Sequence, residues 1–171
     1  MDGGMTKMKA FTYYSPTEII FGCGKLVETA KLAKRFGDKA LLVTGKGKSS
    51  VNAARRVLEL LQGAGIETAH YDGVSPNPTT DLVTEGAEMA KKLGAEVIIG
   101  LGGGSAMDTA KAIAVEASHP GTVWDYNCHT EGPTDKTLPV IAIGTTAGTG
   151  SQVTQCAVIT RTKDKDKSAV W

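Results

Sequence analysis

The chain is poor in the features that announce many function classes. Its three cysteines, Cys23, Cys128 and Cys156, are odd in number and scattered, which argues against a disulfide framework. Charge of one sign is missing too. Nineteen Lys and Arg meet 18 Asp and Glu, a formal net charge of +1. With no basic or aromatic run, nothing points to a nucleic-acid partner. No apolar run approaches the roughly 18 residues of a membrane helix, so no membrane partner is expected. Residues 1–9 (MDGGMTKMK) lack the apolar core of a signal peptide, and a cytoplasmic location is expected. Residues 1–10 read as a disordered or tag-like N-terminus ahead of one domain over 11–171. His70, His119 and His129 show no i, i+4 spacing and no cysteine pairs, and Cys128 and His129 are adjacent, so they point in different directions. They read as surface or loop residues rather than a zinc site. No Ser-His-Asp arrangement can be read from the sequence either.

What is present is a set of glycine- and hydroxyl-rich turns that follow apolar runs. Residues 95–111 (AEVIIGLGGGSAMDTAK) hold the densest of them. Val97, Ile98 and Ile99 have the β-branched character of a strand buried on both faces. Gly102, Gly103 and Gly104 follow, and Ser105 opens a helical pattern. Strand, glycine turn and helix aim free backbone N–H groups and a positive helix end at one point, which suits a phosphate. The dinucleotide fingerprint G-x-G-x-x-G fails at Ser105, and the hydrolase elbow G-x-S-x-G fails at Met107. A tight turn in any α/β domain is the alternative.

The remaining pattern is alternation. Residues 11–21 read as two short strand pieces around Pro16, and residues 25–36 as a helix stopped by Gly37. Residues 40–44 form a buried strand; a helix capped by Ser49 or Ser50 runs to about Gln62; residues 66–71 return as a strand. Thr80 or Asp81 caps the next helix, with Leu82, Gly86, Met89, Ala90 and Leu93 inward. The helix after the glycine turn continues to about Ala117. Residues 122–136 are irregular, with Trp124 and Tyr126 as anchors. Strands follow at 138–143 and 155–160, then a charged turn over 161–167. A chain that ends on Ser168-Ala169-Val170-Trp171 is expected to leave an apolar surface there. The fold class is α/β, a mainly parallel sheet flanked by helices, and in such sheets ligands bind beyond the carboxyl ends of the strands.

Three turns lie at such ends: residues 45–49, 102–105 and 145–151. The first resembles the tail of a P-loop, but Leu42 stands where that motif needs glycine. Strand ends that hold an adenosine ribose carry an acidic residue, whereas a 2′-phosphate wants basic ones. Here Gly45 is followed by Lys46 and Lys48, so NADP is favoured over NAD if a dinucleotide binds. Solvated lysines in a surface turn are the other reading. Residues 145–151 (TTAGTGS) offer N–H groups and hydroxyls to phosphate, ribose or carboxamide, or form a well-capped turn. Asp108 either caps its helix or touches a ribose. A cofactor cradle is legible; an acid, base, nucleophile or metal cluster is not.

The set Pro76-Asn77-Pro78, Gly102–Ser105 with Asp108 and Lys111, and residues 145–154 (TTAGTGSQVT) closely resembles the iron-containing (group III) alcohol dehydrogenases. The resemblance runs from about Phe11 to the last residue. It implies a dehydroquinate-synthase-like architecture, in which an N-terminal Rossmann-like domain precedes a helical domain holding Fe²⁺ or Zn²⁺ through one Asp and three His. Those ligands lie beyond the matched region, so the chain reads as the N-terminal domain alone, with the helical metal domain absent. By resemblance, Gly103, Gly104, Ser105 and Asp108 hold the pyrophosphate and nicotinamide ribose. Thr145, Thr146 and Thr149 contact adenine and phosphate, and Asn77 lies near the adenine-side ribose. Thr154, Cys156 and Lys167 line the nicotinamide end. Gly45 replaces the Asp of NAD-preferring members. Gln152 replaces a common Glu. The implied reaction is reversible hydride transfer between an alcohol or aldehyde and NADP, with NAD as the alternative, in a homo-oligomer. This chain alone is expected to bind cofactor without turnover. The runners-up are a polyol-phosphate dehydrogenase or dehydroquinate-synthase-like domain, and a non-catalytic nucleotide-binding module.

Overall fold

The computed structural model describes residues 10, 12, 14–128, 130 and 132–170, without the side chains of Lys48 and Ser49. Expectations for residues 1–9, Phe11, Tyr13, His129 and Trp171, and for those two side chains, lie outside the described residues.

Four strands form one parallel sheet. In chain order they are β1 (Lys39–Gly45), β2 (Glu67–Val74), β3 (Val97–Gly102) and β4 (Val140–Gly144), and in space they run β2-β1-β3-β4. Side chains alternate across the pleat. Ala40, Leu42, Val97 and Ile99 face one way, where α1 (Thr29–Ala33) and α2 (Lys48–Gly63) supply Ala30, Ala33, Ala54, Val57 and Leu61. Leu41, Val43 and Ile98 face the other way, against α3 (Thr80–Leu93) and α4 (Gly104–Ser118). Covering on both faces is why β3 is buried along its whole length.

The order of strands matters for the site. From β1 the chain steps outward to β2 over one face, then returns across β1 to β3, whose following helix lies on the opposite face. The carboxyl ends of β1 and β3 are direct neighbours, with Thr44 paired to Leu101. Helices diverging from two adjacent strand ends open a crevice between them.

Several local expectations are corrected. Residues 14–21 form no strand, and Pro16, which lacks an N–H, interrupts any ladder there. Residues 25–36 are not one α-helix. A 3-10 turn over Lys25–Glu28 leads into α1, and Arg35 and Phe36 then bond back three residues rather than four. Gly47, not a serine, occupies the N-cap of α2, and Thr79 rather than Thr80 or Asp81 caps α3 by accepting from Leu82 N–H at 3.5 Å. The inner face of α3 does carry the expected Gly86, Met89, Ala90 and Leu93, joined by the buried Val83 and Ala87, with Leu82 half-buried. In the stretch after α4 the fully buried anchor is Val123; Trp124 and Tyr126 are half-buried beside it.

After β4 no long helix forms. A 3-10 turn (Ser151–Val153) leads into a separate antiparallel pair, β5 (Ala157–Arg161) and β6 (Asp166–Val170). That hairpin buries Val170 to 1% exposure opposite Ala157, while Val158 stays 38% exposed and Trp171 lies outside the described residues. More exposed apolar side chains lie near the start of the chain, where Tyr14, Ile19 and Phe21 are 82%, 67% and 94% exposed. No helix among the described residues is long and apolar enough to cross a membrane.

Candidate functional site

At the β1/β3 crevice lies a cleft of about 550 Å³, floored by Gly45, Lys46, Gly102, Gly103 and Ser105, with Pro76 on its rim. Two features keep its floor open. Gly102 has φ +150°, and a Cβ there would stand 2.9 Å from that of Ala106. Gly103 is the N-cap of α4 and brings no side chain to it. The first N–H groups of a helix have no intrahelical partner, which leaves those of Gly104 and Ser105 at the start of α4, where Gly103 and Ser105 line the cleft.

The threonine turn overhangs this glycine turn. A Cβ at Gly104 would meet Thr149 Cγ2 at 3.1 Å, and one at Gly103 would meet Thr146 Oγ1 at 3.3 Å. Thr145 N–H donates to Gly102 C=O at 2.9 Å, extending the β3–β4 ladder by one bond. The structure therefore brings Gly103, Gly104, Thr145, Thr146 and Thr149 together from stretches about forty residues apart. Hydroxyls and free N–H groups around a Cβ-less floor are donors for an anion.

On the far side of α4 the sequence expectation for Asp108 changes. Its carboxylate does not cap α4. Oδ1 accepts from Ser151 Oγ at 2.6 Å and Oδ2 from Val158 N–H at 3.1 Å, and Lys111 Nζ lies 3.3 Å from Oδ1. Lys111, quoted in the motif without a role, is 9% exposed and donates to the carbonyls of Ser151 (3.0 Å), Thr154 (3.2 Å) and Cys156. Burial lowers the pKa of this amine, and the Asp108 carboxylate pulls it back up. Burial raises the Cys156 thiol pKa, against the pull of Lys111. A clue to Lys111 was present in the sequence: one lysine in an otherwise apolar run, three residues after an aspartate.

Asn77 and Lys167 lie together. Lys167 Nζ donates to Asn77 Oδ1 at 3.0 Å, and Thr160 N–H donates to Pro78 C=O at 2.9 Å. The residues expected at the adenine-side ribose and at the nicotinamide end are thus neighbours in this structure. Asn77 holds φ +54°, a left-handed conformation that asparagine tolerates.

A second cleft of about 510 Å³ adjoins the first through Gly45 and Lys46, and includes Arg55, His70 and Asp72. His70 is half-buried, not a surface residue, and its Nε2 lies 2.8 Å from Thr44 Oγ1. Burial lowers its pKa, opposed by Asp72. His119 is buried as well. Its Nε2 accepts from Thr134 N–H at 3.0 Å, which leaves the proton on Nδ1 to donate to Val115 C=O, also 3.0 Å away. Among the described residues no three His, Cys, Asp or Glu gather as a metal site.

Residues 16–171 match the family model described as iron-containing alcohol dehydrogenase. Among curated proteins, the choline dehydrogenase of Bacillus subtilis (strain 168) is 46% identical over 155 residues, which is 89% of this chain and 39% of that protein. Alcohol dehydrogenase 4 of Saccharomyces cerevisiae (strain YJM789) is 38% identical over 159 residues, 92% of this chain and 41% of its own. Among solved structures, the archaeal halo-thermophilic Red Sea brine pool alcohol dehydrogenase ADH/D1, bound to NZQ, superposes with a TM-score of 0.90 at 42% identity over 95% of this chain and 43% of its own. The sulfoacetaldehyde reductase of Bifidobacterium kashiwanohense in complex with NAD+ gives 0.85 at 32% identity over 95% and 43%. The chain thus spans about two fifths of the length of the relatives it matches.

Proposed function

The chain belongs to the iron-containing alcohol dehydrogenase family, and from that premise we propose that it is the NADP-favouring cofactor domain of a metal-dependent alcohol dehydrogenase. The observation that carries this reading is the glycine floor at Gly103 and Gly104 beneath Thr146 and Thr149, set at the β1/β3 crevice. Its residues fit a dinucleotide. The free N–H groups of Gly104 and Ser105 hold the pyrophosphate, helped by the positive end of a 15-residue helix. Thr145, Thr146 and Thr149 hold its flanks. Asn77 and Lys167, joined to each other, serve one end of the ligand, and Thr154 and Cys156 border the segment that lines the nicotinamide. Asp108 acts on that segment through Ser151 and Val158.

NADP is favoured because the β1 end offers Gly45 rather than a carboxylate, with Lys46 beside it and Arg55 in the adjoining cleft. Arg55 forms an exposed pair with Glu59 at 3.2 Å, a partnership too weak to hold it from a phosphate. When bound, nicotinamide supplies a hydride acceptor or donor for an alcohol or aldehyde carbon. Fe²⁺ or Zn²⁺ is assigned to the part of the enzyme outside this chain, where the family resemblance places its one Asp and three His. This chain orients the cofactor and lacks turnover of its own. A cytoplasmic location and a homo-oligomeric assembly complete the proposal, the latter supported by the exposed Ile19 and Phe21.

Fluorescence titration of the chain with NADPH and NADH tests the reading. Tighter binding of NADPH is expected. Tighter NADH would overturn the cofactor preference, and no binding of either would overturn the cofactor role.

A further inference from the structure

Residues 151–158 have little regular structure to hold them. A three-residue 3-10 turn opens the segment and β5 starts only at Ala157, so residues 154–156 belong to neither a helix nor a strand. Yet this is the segment that carries Thr154 and Cys156 and continues from Thr149. What grips it comes from α4. Asp108 takes Ser151 Oγ and Val158 N–H, one at each end of the segment. Lys111 takes the carbonyls of Ser151, Thr154 and Cys156 between them. An ammonium has three protons and no lone pair, so three carbonyls saturate it.

Three carbonyl oxygens aimed at one point repel one another unless a cation sits there. Free cations do this elsewhere through rings of backbone carbonyls. Here the cation is covalently attached to a helix, and a carboxylate one turn away balances it.

We propose that the Lys111 ammonium is a built-in cation that gathers the carbonyls of residues 151–156, making Lys111 a positioning residue for the segment that presents Thr154 and Cys156 to the cofactor. The shape of the segment depends on positive charge at one place, not on packing volume. Burial lowers the amine's pKa, and the Asp108 carboxylate 3.3 Å away opposes that shift. Only the link to the cofactor rests on the function proposed above; the clamp itself stands apart from it.

The test compares Lys111→Ala, which leaves room for a small cation, with Lys111→Met, which fills the space without charge. Amide exchange over residues 152–158 and alkylation of Cys156, referred to the exposed Cys23, report the segment. Both variants are expected to exchange and alkylate at least about tenfold faster than the wild type. Ammonium or potassium chloride is expected to restore protection in Lys111→Ala, tetramethylammonium chloride at equal ionic strength is not, and Lys111→Met is expected to respond to none of them. A Lys111→Met chain as protected as the wild type would overturn the proposal, because volume alone would then suffice. So would a loosened Lys111→Ala chain unmoved by ammonium and potassium. If neither variant folds, lysine side-chain NMR of the wild type decides. A protected ammonium signal with through-space contacts to Thr154 is expected, and its absence overturns the clamp. NADPH affinity is expected to fall with loss of protection; a loosened segment with unchanged affinity would overturn the positioning role. If the wild type binds no nucleotide, the cofactor reading fails while exchange and alkylation still decide the clamp.

Discussion

Gly104 is the residue where floor and overhang meet most closely. Alanine there would stand 3.1 Å from Thr149 Cγ2, and Thr149 is exposed enough to give the few tenths of an ångström required. Folding should therefore tolerate Gly104→Ala, while an anion approaching the N–H groups meets a methyl group and a displaced threonine. NADPH affinity is expected to fall by about tenfold or more, roughly 1.4 kcal/mol, with a melting temperature within a few degrees of wild type. Unchanged affinity in an NADPH titration would show that the ligand does not approach this floor. His70 gives a second residue-level prediction. Its folded pKa lies below the ordinary 6.5, chiefly through burial. The unfolded chain therefore takes up this proton first as pH falls, and protonation favours unfolding. The contribution is whole above about pH 6.5 and declines as pH falls from there through the folded value. Urea midpoints measured from pH 7.5 down to 5 should drop, and His70→Gln should flatten that slope. An unaltered slope would place the titrating group elsewhere.

At the scale of elements, the ends of α3 show what its capping contributes. Gly94 ends the helix at φ +68°, with nothing within 4 Å of a Cβ built there. Any effect of Gly94→Ala is then conformational, and a loss of about 1 kcal/mol is expected in urea unfolding. A neutral substitution would mean that the helix end relaxes. The elements of the sheet were readable in advance because buried parallel strands advertise themselves as apolar runs: residues 40–44, 97–99 and 138–143 are such runs, and each lies in or overlaps a strand. The cap of α2 was not readable, because Gly47 fills that place without the side-chain oxygen that marks a cap. The Gly102–Ser105 turn was legible from its glycines. The role of Lys111 was not, since its partners are backbone carbonyls, which every residue carries. The pairing of Asn77 with Lys167 joins loop and hairpin across ninety positions and leaves no local trace.

For the molecule as a whole, the reading proposed above gives the sheet and its glycine turns the cofactor and leaves the metal to a part of the enzyme outside this chain. The described residues include no metal cluster, and the chain spans about two fifths of its relatives. Incubated with butanol or a diol, NADP and added Fe²⁺ or Zn²⁺, the 171-residue chain is expected to produce no NADPH above background. Metal-dependent turnover followed at the NADPH absorbance band would contradict the division of labour proposed for it. Anion donors gather at the β1/β3 crevice, whereas the buried ion pair of Asp108 and Lys111 is consumed inside the protein.

The bulge where β1 meets β2 bears on how such a domain could be re-engineered. Val43 pairs with Tyr71 but Gly45 with Val74, so β2 spends one extra residue beside Thr44 and swings its Val74 carbonyl over the end of β1. A Cβ at Gly45 would stand 3.1 Å from that oxygen. Exchanging Gly45 for an aspartate, the obvious step from one nicotinamide cofactor to the other, thus presses a side chain against backbone at the edge of the sheet. The trade is epistatic. An aspartate at position 45 needs the Val74 carbonyl to give by a few tenths of an ångström, and a library that also varies residues 72–74 gives β2 room to yield.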